Sequence, residues 1–87
     1  MDFKEPQKII LEFLDLLSDK PTSYYEIEQR TKRHYSTVRA YIDLLELLGF
    51  IEIKKIVNGK YIKYEITLTE EGLKIKEKIR EKRPFIN

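Results

Sequence analysis

Ser36-Thr37-Val38-Arg39-Ala40-Tyr41-Ile42-Asp43-Leu44-Leu45-Glu46-Leu47-Leu48-Gly49-Phe50-Ile51 is the stretch on which the fold of this chain turns. Val38, Ile42, Leu45 and Leu48 recur at helical spacing and mark a buried face, with Tyr41 at its edge. The spacing predicts a helix from about Ser36 to Leu48, opened by hydroxyl side chains. Gly49 stands where a left-handed residue is favoured to stop it. Beyond it, Phe50 to Val57 and Lys60 to Leu68 read as two strands, the second alternating cleanly. Ile62, Tyr64, Ile66 and Leu68 take one face of that strand, and Tyr61, Lys63, Glu65 and Thr67 the other. Asn58-Gly59 between the strands favours a two-residue turn with positive φ at both positions. Pairing Val57 with Lys60 then sets Ile53 opposite Tyr64, Ile51 opposite Ile66, Glu52 opposite Glu65 and Ile56 opposite Tyr61.

The flanking segments complete the pattern. Towards the N-terminus, Ile10, Phe13, Leu14 and Leu17 form one stripe on a helix running from about Pro6 to Ser18, and Ile9 and Leu16 widen it. Thr22 follows a turn at Asp19-Lys20-Pro21 and is placed to add a short strand. Ser23 with Glu26 three residues on is a capping-box pattern, opening a second helix to about Thr31 that carries Tyr24 and Ile27 inward. Lys32 to Tyr35 form a polar turn. Towards the C-terminus, Thr67 or Thr69 caps a last helix with Glu70 and Glu71 in its first turn, where the helix dipole favours acids. That helix ends before Pro84 and leaves Phe85-Ile86-Asn87 as an apolar tail.

Composition bounds the chemistry. Eighty-seven residues with 41% hydrophobic content suit one domain, residues 1–87, with one modest core. There is no cysteine and one histidine, which argues against a disulfide framework, a thiol nucleophile or a metal site. No Ser/His/Asp constellation and no Gly-rich phosphate loop is visible, so the chain does not read as an enzyme and no cofactor is called for. The apolar runs are broken by Asp and Glu, far short of a membrane span, and no signal peptide is evident, so a cytoplasmic location is expected. Richness in Ile, Lys and Glu leans towards thermophile usage.

The formal charge is only +2, yet its placement is uneven. From Gln29 to Ile42 there is no acid, while Arg30, Lys32, Arg33 and Arg39 are present; from Ile53 to Tyr64 there is again none, with Lys54, Lys55, Lys60 and Lys63. Elsewhere the signs are interleaved. A helix and a hairpin that are selectively basic, in so small a chain, point to a polyanion such as nucleic acid.

The element order and several local motifs resemble winged helix-turn-helix domains. Glu26-Ile27, Ser36-Thr37-Val38, Leu45-Glu46 and Gly49-Phe50-Ile51-Glu52 look like the heart of ArsR-, MarR- and PadR-like transcription regulators, and Leu68-Thr69-Glu70-Glu71-Gly72 resembles the segment that often follows their wing. The resemblance spans roughly Ile9 to Ile79. It implies an α+β, mainly α fold: a three-helix core, a two-stranded β-hairpin wing and a C-terminal helix. The helix-turn-helix falls at about 23–48, the wing at about 50–68 and the last helix at about 69–83. Three positions depart from the pattern. Glu28 stands where a small residue is usual at the helix crossing, Lys32 where Gly is usual in the turn, and Arg33 where an aliphatic residue is usual. All three bear on the geometry of the turn.

What the resemblance implies for function is double-stranded DNA as partner. The N-terminal half of the third helix would enter the major groove. The contacting positions carried onto this chain are Lys32, Arg33, His34, Tyr35, Ser36, Thr37, Arg39, Ala40 and Asp43, with Arg39 the candidate base reader because a guanidinium pairs bidentately with guanine. Lys54, Lys55, Asn58, Lys60 and Lys63 would lie on the wing, the lysines against phosphate and Asn58 chiefly as turn chemistry. The plain alternatives are that Ser36 only caps its helix and that the lysines only solubilise the hairpin. Surplus apolar residues at Ile9, Leu16, Leu44 and Leu47, with Phe85 and Ile86, are candidates for a homodimer interface. The rival function is a winged helix used for protein–protein contact within a larger complex.

Overall fold

A computed structural model describes residues 4–81 of the chain. Six elements follow in order: α1 (Lys4–Leu16), α2 (Tyr24–Thr31), α3 (Tyr35–Leu47), β1 (Ile51–Asn58), β2 (Tyr61–Leu68) and α4 (Glu70–Glu81). The architecture is the expected one of helices on one small antiparallel hairpin, and the shared boundaries fall within about two residues of expectation. Every element contributes to a single core or packs against it. Ile9, Phe13, Leu14 and Leu17 come from α1 and its end, Ile27 from α2, Val38, Ile42 and Leu45 from α3, and Ile51, Ile66 and Leu68 from the hairpin. From α4, Ile75 and Ile79 pack on that cluster. Burial of each such aliphatic side chain is worth roughly 1.5–3 kcal/mol before entropy is counted, so this cluster is what holds the small domain together.

Helix ends are closed by local chemistry. The Ser23 side chain accepts the Glu26 N–H at 3.1 Å, as the capping pattern predicts, while the Glu26 carboxylate takes the Thr22 hydroxyl at 3.0 Å. Thr22 itself forms an isolated antiparallel bridge with Ile66, so its short strand is a single residue long. At the other end of α1, Lys76 of α4 donates its Nζ to the Asp15 and Leu17 carbonyls, neutralising groups that the helix leaves unpaired.

Two expectations need correction. Leu48 is 52% exposed instead of buried. At about 100° per residue, the line through Val38, Ile42 and Leu45 is continued by position 49, not 48. That position is Gly49, and there the chain turns away. The hairpin register also differs by two residues: Asn58 pairs with Tyr61, Val57 with Ile62, Ile53 with Ile66 and Ile51 with Leu68. The two-residue loop is therefore Gly59-Lys60, and of its neighbours only Gly59 has positive φ, at 62°. A glycine in the first loop position suits a turn that needs only one such residue. A shift of two keeps every side chain on its expected face. It replaces the Glu52–Glu65 like-charge pair with Lys54–Glu65, and sets Ile56 opposite Lys63 in place of Tyr61.

The corner joining α3, β1 and α4 is built from backbone. Gly49, at φ 84°, donates to the Glu46 carbonyl at 2.9 Å, and the Phe50 N–H reaches the Leu45 carbonyl at 3.0 Å. Both bonds are those of a Schellman closure. Thr69 then ties α4 to this corner: its N–H donates to the Phe50 carbonyl at 3.0 Å, its hydroxyl donates to the Gly49 carbonyl at 2.6 Å, and the same hydroxyl accepts the Gly72 N–H at 3.0 Å. Of the two expected caps, Thr69 is the one used. Gly72 explains its place in the motif: a Cβ there would sit 2.0 Å from the Phe50 carbonyl oxygen.

Candidate nucleic-acid interface

The turn before α3 is made from charged and polar residues. Lys32 closes α2 in the left-handed region (φ 56°, ψ 32°), with its N–H on the Glu28 carbonyl at 2.7 Å. Among the described residues it is the one non-glycine with positive φ. The turn thus keeps the conformation a glycine would give, with a lysine in it. Glu28 is half-buried beside it. Arg33 reaches back to α1: Nε lies 2.9 Å and Nη2 3.4 Å from the two Glu12 carboxylate oxygens, a two-pronged pair. His34, not Ser36, caps α3, its Nδ1 accepting the Ser36 N–H at 3.4 Å, with the Ser36 hydroxyl 3.1 Å from the same atom. Ser36 is exposed in the first turn of the helix, and Thr37 is half-buried.

Arg39 occupies the centre of the exposed face of α3. Its Nη1 donates to the Tyr35 hydroxyl at 2.8 Å, one turn earlier, and its Nε lies 4.0 Å from the Asp43 carboxylate, one turn later. The guanidinium carbon stands 5.1 Å from the centroid of the Tyr24 ring. Burial pushes the Tyr24 phenol above its ordinary value, and the charge of Arg39 only partly offsets that. Tyr24 also makes edge-to-face contacts with Tyr35 and with Tyr64 of the wing. Arg39, Tyr35 and Asp43, three of the candidates named from the sequence, are thereby in mutual contact through Arg39. Tyr24 and Tyr64 join them unannounced, as does Glu12 at Arg33.

The wing divides its lysines. Cross-strand partners share a face and neighbours alternate, so Lys55, opposite Tyr64, lies on the Tyr64 side of the hairpin, away from Tyr61. Lys54 and Lys63 lie on the other side around Glu65, which is the partner of the first and 3.8 Å from the second. Lys60 is exposed in the turn, and Asn58 is an exposed strand residue, not a turn residue. At the tip Val57, Tyr61 and Ile62 are exposed.

The apolar candidates separate too. Leu47 is 84% exposed and Leu44 37% exposed. Leu44 and Ala40 line a shallow groove with Ile10 and Tyr41 between α1 and α3. Ile9 is buried in the core and Leu16 is half-buried against it, so neither widens the surface. Phe85 and Ile86 lie outside the described residues. Among the described residues no group of three or more His, Asp and Glu side chains is placed to hold a metal ion, and no helix is long and apolar enough to cross a membrane.

No protein-family model matches the sequence, and neither does any curated protein. Solved structures do match its fold. A PadR-family transcriptional regulator from Eggerthella lenta DSM 2243 superposes with a TM-score of 0.75 at 16% identity, over 87% of this chain and 71% of that one. A PadR-family transcription regulator from hypervirulent Clostridium difficile R20291 gives 0.79 at 19% identity, over 90% and 88%. Bacillus subtilis PadR in complex with operator DNA gives 0.74 at 23% identity, over 84% of this chain but only 46% of that protein. At such identities the likeness establishes the winged-helix fold.

Proposed function

We propose that this chain is a sequence-specific regulator that binds double-stranded DNA as a homodimer, with α3 in the major groove and the wing on the phosphate backbone. The observation that carries the reading is Arg39, exposed at the centre of an α3 face with no acid before Asp43, and held in place by three neighbours. One of the structures that share the fold is in complex with operator DNA, which supports DNA as the partner here. Arg39 is the base reader, Tyr35, Ser36, Thr37 and His34 line the same helix end, and Lys32, Lys55 and Lys60 face phosphate. Arg33 contributes less, because Glu12 already takes its guanidinium. Asp43 holds Arg39, while Ala40 sits at the edge towards α1. Lys54, Lys63 and Asn58 lie on the face of the wing away from Tyr64. Exposed Leu44 and Leu47 supply the dimer contact, and a two-fold pair of reading helices would address half-sites about 34 Å apart. The chain acts inside the cell, as one domain, without cofactor or catalysis.

Selection of duplexes from a random pool, followed by titration against salt, tests this. Binding should weaken with a log–log slope of about −0.9 per neutralised phosphate. Arg39→Ala should remove about 1–3 kcal/mol of discrimination at one base pair. Lys60→Ala should weaken every duplex alike and flatten the slope by about one contact. No shift with any duplex, or a flat salt profile, sinks the proposal. The groove at Ile10, Ala40, Tyr41 and Leu44 favours a second reading, a winged helix that docks a protein partner. Leu44→Glu separates the two. It should split the dimer and weaken DNA binding under the first reading, and leave monomeric DNA binding absent as before under the second.

A further inference from the structure

The wing and the reading helix are joined through aromatic rings. Tyr24, the first residue of α2, has its ring centroid 6.1 Å from Tyr64 on β2 and 6.1 Å from Tyr35 on α3, both edge-to-face. Arg39 lies over the same ring while hydrogen-bonding the Tyr35 hydroxyl. A long cationic side chain on an exposed helix face normally samples many rotamers. Here the ring below, the phenol one turn before and the carboxylate one turn after restrict it. A guanidinium reads guanine through two parallel hydrogen bonds, so discrimination depends on the plane in which the group is held.

We propose that Tyr24, braced by Tyr64 of the wing and assisted by the Tyr35 hydroxyl, is a positioning residue that sets the plane of Arg39 and so couples base discrimination to the seating of the wing. The inference rests on the DNA-binding reading above. Tyr24 carries no charge at neutral pH, so its part is visible in selectivity and not in the salt dependence. The cluster also gives the hairpin a reason to be aromatic at Tyr64: directly opposite is Lys55, whose phosphate contact would then press on the ring that supports the reader.

The experiment compares affinity for a selected duplex with that for one changed at the base pair most sensitive to Arg39→Ala. Tyr24→Leu should lower this ratio about tenfold, within the span that one bidentate contact supplies. Affinity for unrelated DNA and the salt slope should stay as they are. Tyr24→Phe should restore the ratio, because the ring face is kept. Adding Arg39→Ala to Tyr24→Leu should bring the ratio no lower than Arg39→Ala alone, since Tyr24 acts only through Arg39. Tyr35→Phe, which removes only an exposed hydroxyl, should lower the ratio about threefold and keeps the test open if Tyr24→Leu does not fold. In the free protein, the Arg39 side-chain protons should show an upfield ring-current shift that Tyr24→Leu abolishes. Absence of that shift in the wild type overturns the placement of Arg39 over the Tyr24 ring alone. Full discrimination in Tyr24→Leu, or additive losses with Arg39→Ala, overturns the coupling. A wild type that binds no duplex overturns the DNA reading first and the positioning role of Tyr24 with it.

Discussion

Helix α3 is suspended between two corners built on opposite plans. The corner behind it uses Gly49, Thr69 and Gly72 with backbone hydrogen bonds joined by the Thr69 hydroxyl. The corner in front of it uses Lys32 in a conformation that suits glycine, Arg33 tied to a helix far along the chain, and His34 as cap. Gly49 and Thr69 of the rear corner are locally favoured where they stand, and Gly72 is required by the close Phe50 carbonyl. The front corner instead holds a non-glycine residue at positive φ and a histidine as cap, and it adds charge and donor capacity next to the face proposed to read DNA. Departures from local preference, where the surrounding fold tolerates them, are where function is expected to sit. The rear corner fixes where α3 points; the front corner decides what it meets.

The sharpest way to break this contrast is Gly72→Ala. The added methyl would lie 2.0 Å from the Phe50 carbonyl oxygen and 2.9 Å from its carbon, and both atoms are backbone held by the Thr69 bond. We expect a loss of about 3 kcal/mol, read as a lower urea midpoint at unchanged slope. A loss below about 1 kcal/mol would mean that the rear corner gives way, and that the two corners do not differ in rigidity. Lys32→Gly makes the complementary point with a smaller effect of opposite sign. Relief of the left-handed strain should stabilise the fold by about 1 kcal/mol, while the salt slope of DNA binding falls by about 0.9. Gain of stability with undiminished DNA affinity would show that the lysine is there for no electrostatic reason.

The two corners were also unequally legible. Gly49 and Thr69 carry their local signals in the sequence, because caps and positive φ are set by neighbours a few residues away, whereas Gly72 is fixed by the distant Phe50 carbonyl. The element order, the core face of α3 through Leu45 and the capping serine follow from the same short-range rules. The hairpin register did not. Asn58-Gly59 offers two turn placements, and the one adopted pairs Lys54 with Glu65, Ile51 with Leu68 and Ile53 with Ile66, contacts that lie beyond the turn's own residues. Tyr24 read only as an inward residue of α2, though Tyr35 and Arg39 one turn apart were a readable pair. Its contact with Tyr64 spans forty residues and has no local trace. Nor does the contact between Arg33 and Glu12, which in sequence looked like one more free charge facing DNA.

That pair supplies the smallest and most discriminating test. Both side chains are partly exposed, 28% for Arg33 and 40% for Glu12, so water screens their attraction even though the geometry is two-pronged. Glu12→Gln should therefore cost only about 0.5 kcal/mol of stability. Its effect on binding should have the other sign. The substitution removes a negative charge beside the turn and releases part of the Arg33 guanidinium towards phosphate, so affinity for all duplexes should rise and the salt slope should steepen by a fraction of one contact. The discrimination set by Arg39 should not change, because Glu12 does not touch the tyrosine cluster. If stability fell by 2 kcal/mol or more with no gain in affinity, Arg33 would be a structural staple, and the front corner would resemble the rear one. If affinity rose as expected, the charge of that corner would be held partly in reserve, and Glu12 would be the residue that holds it.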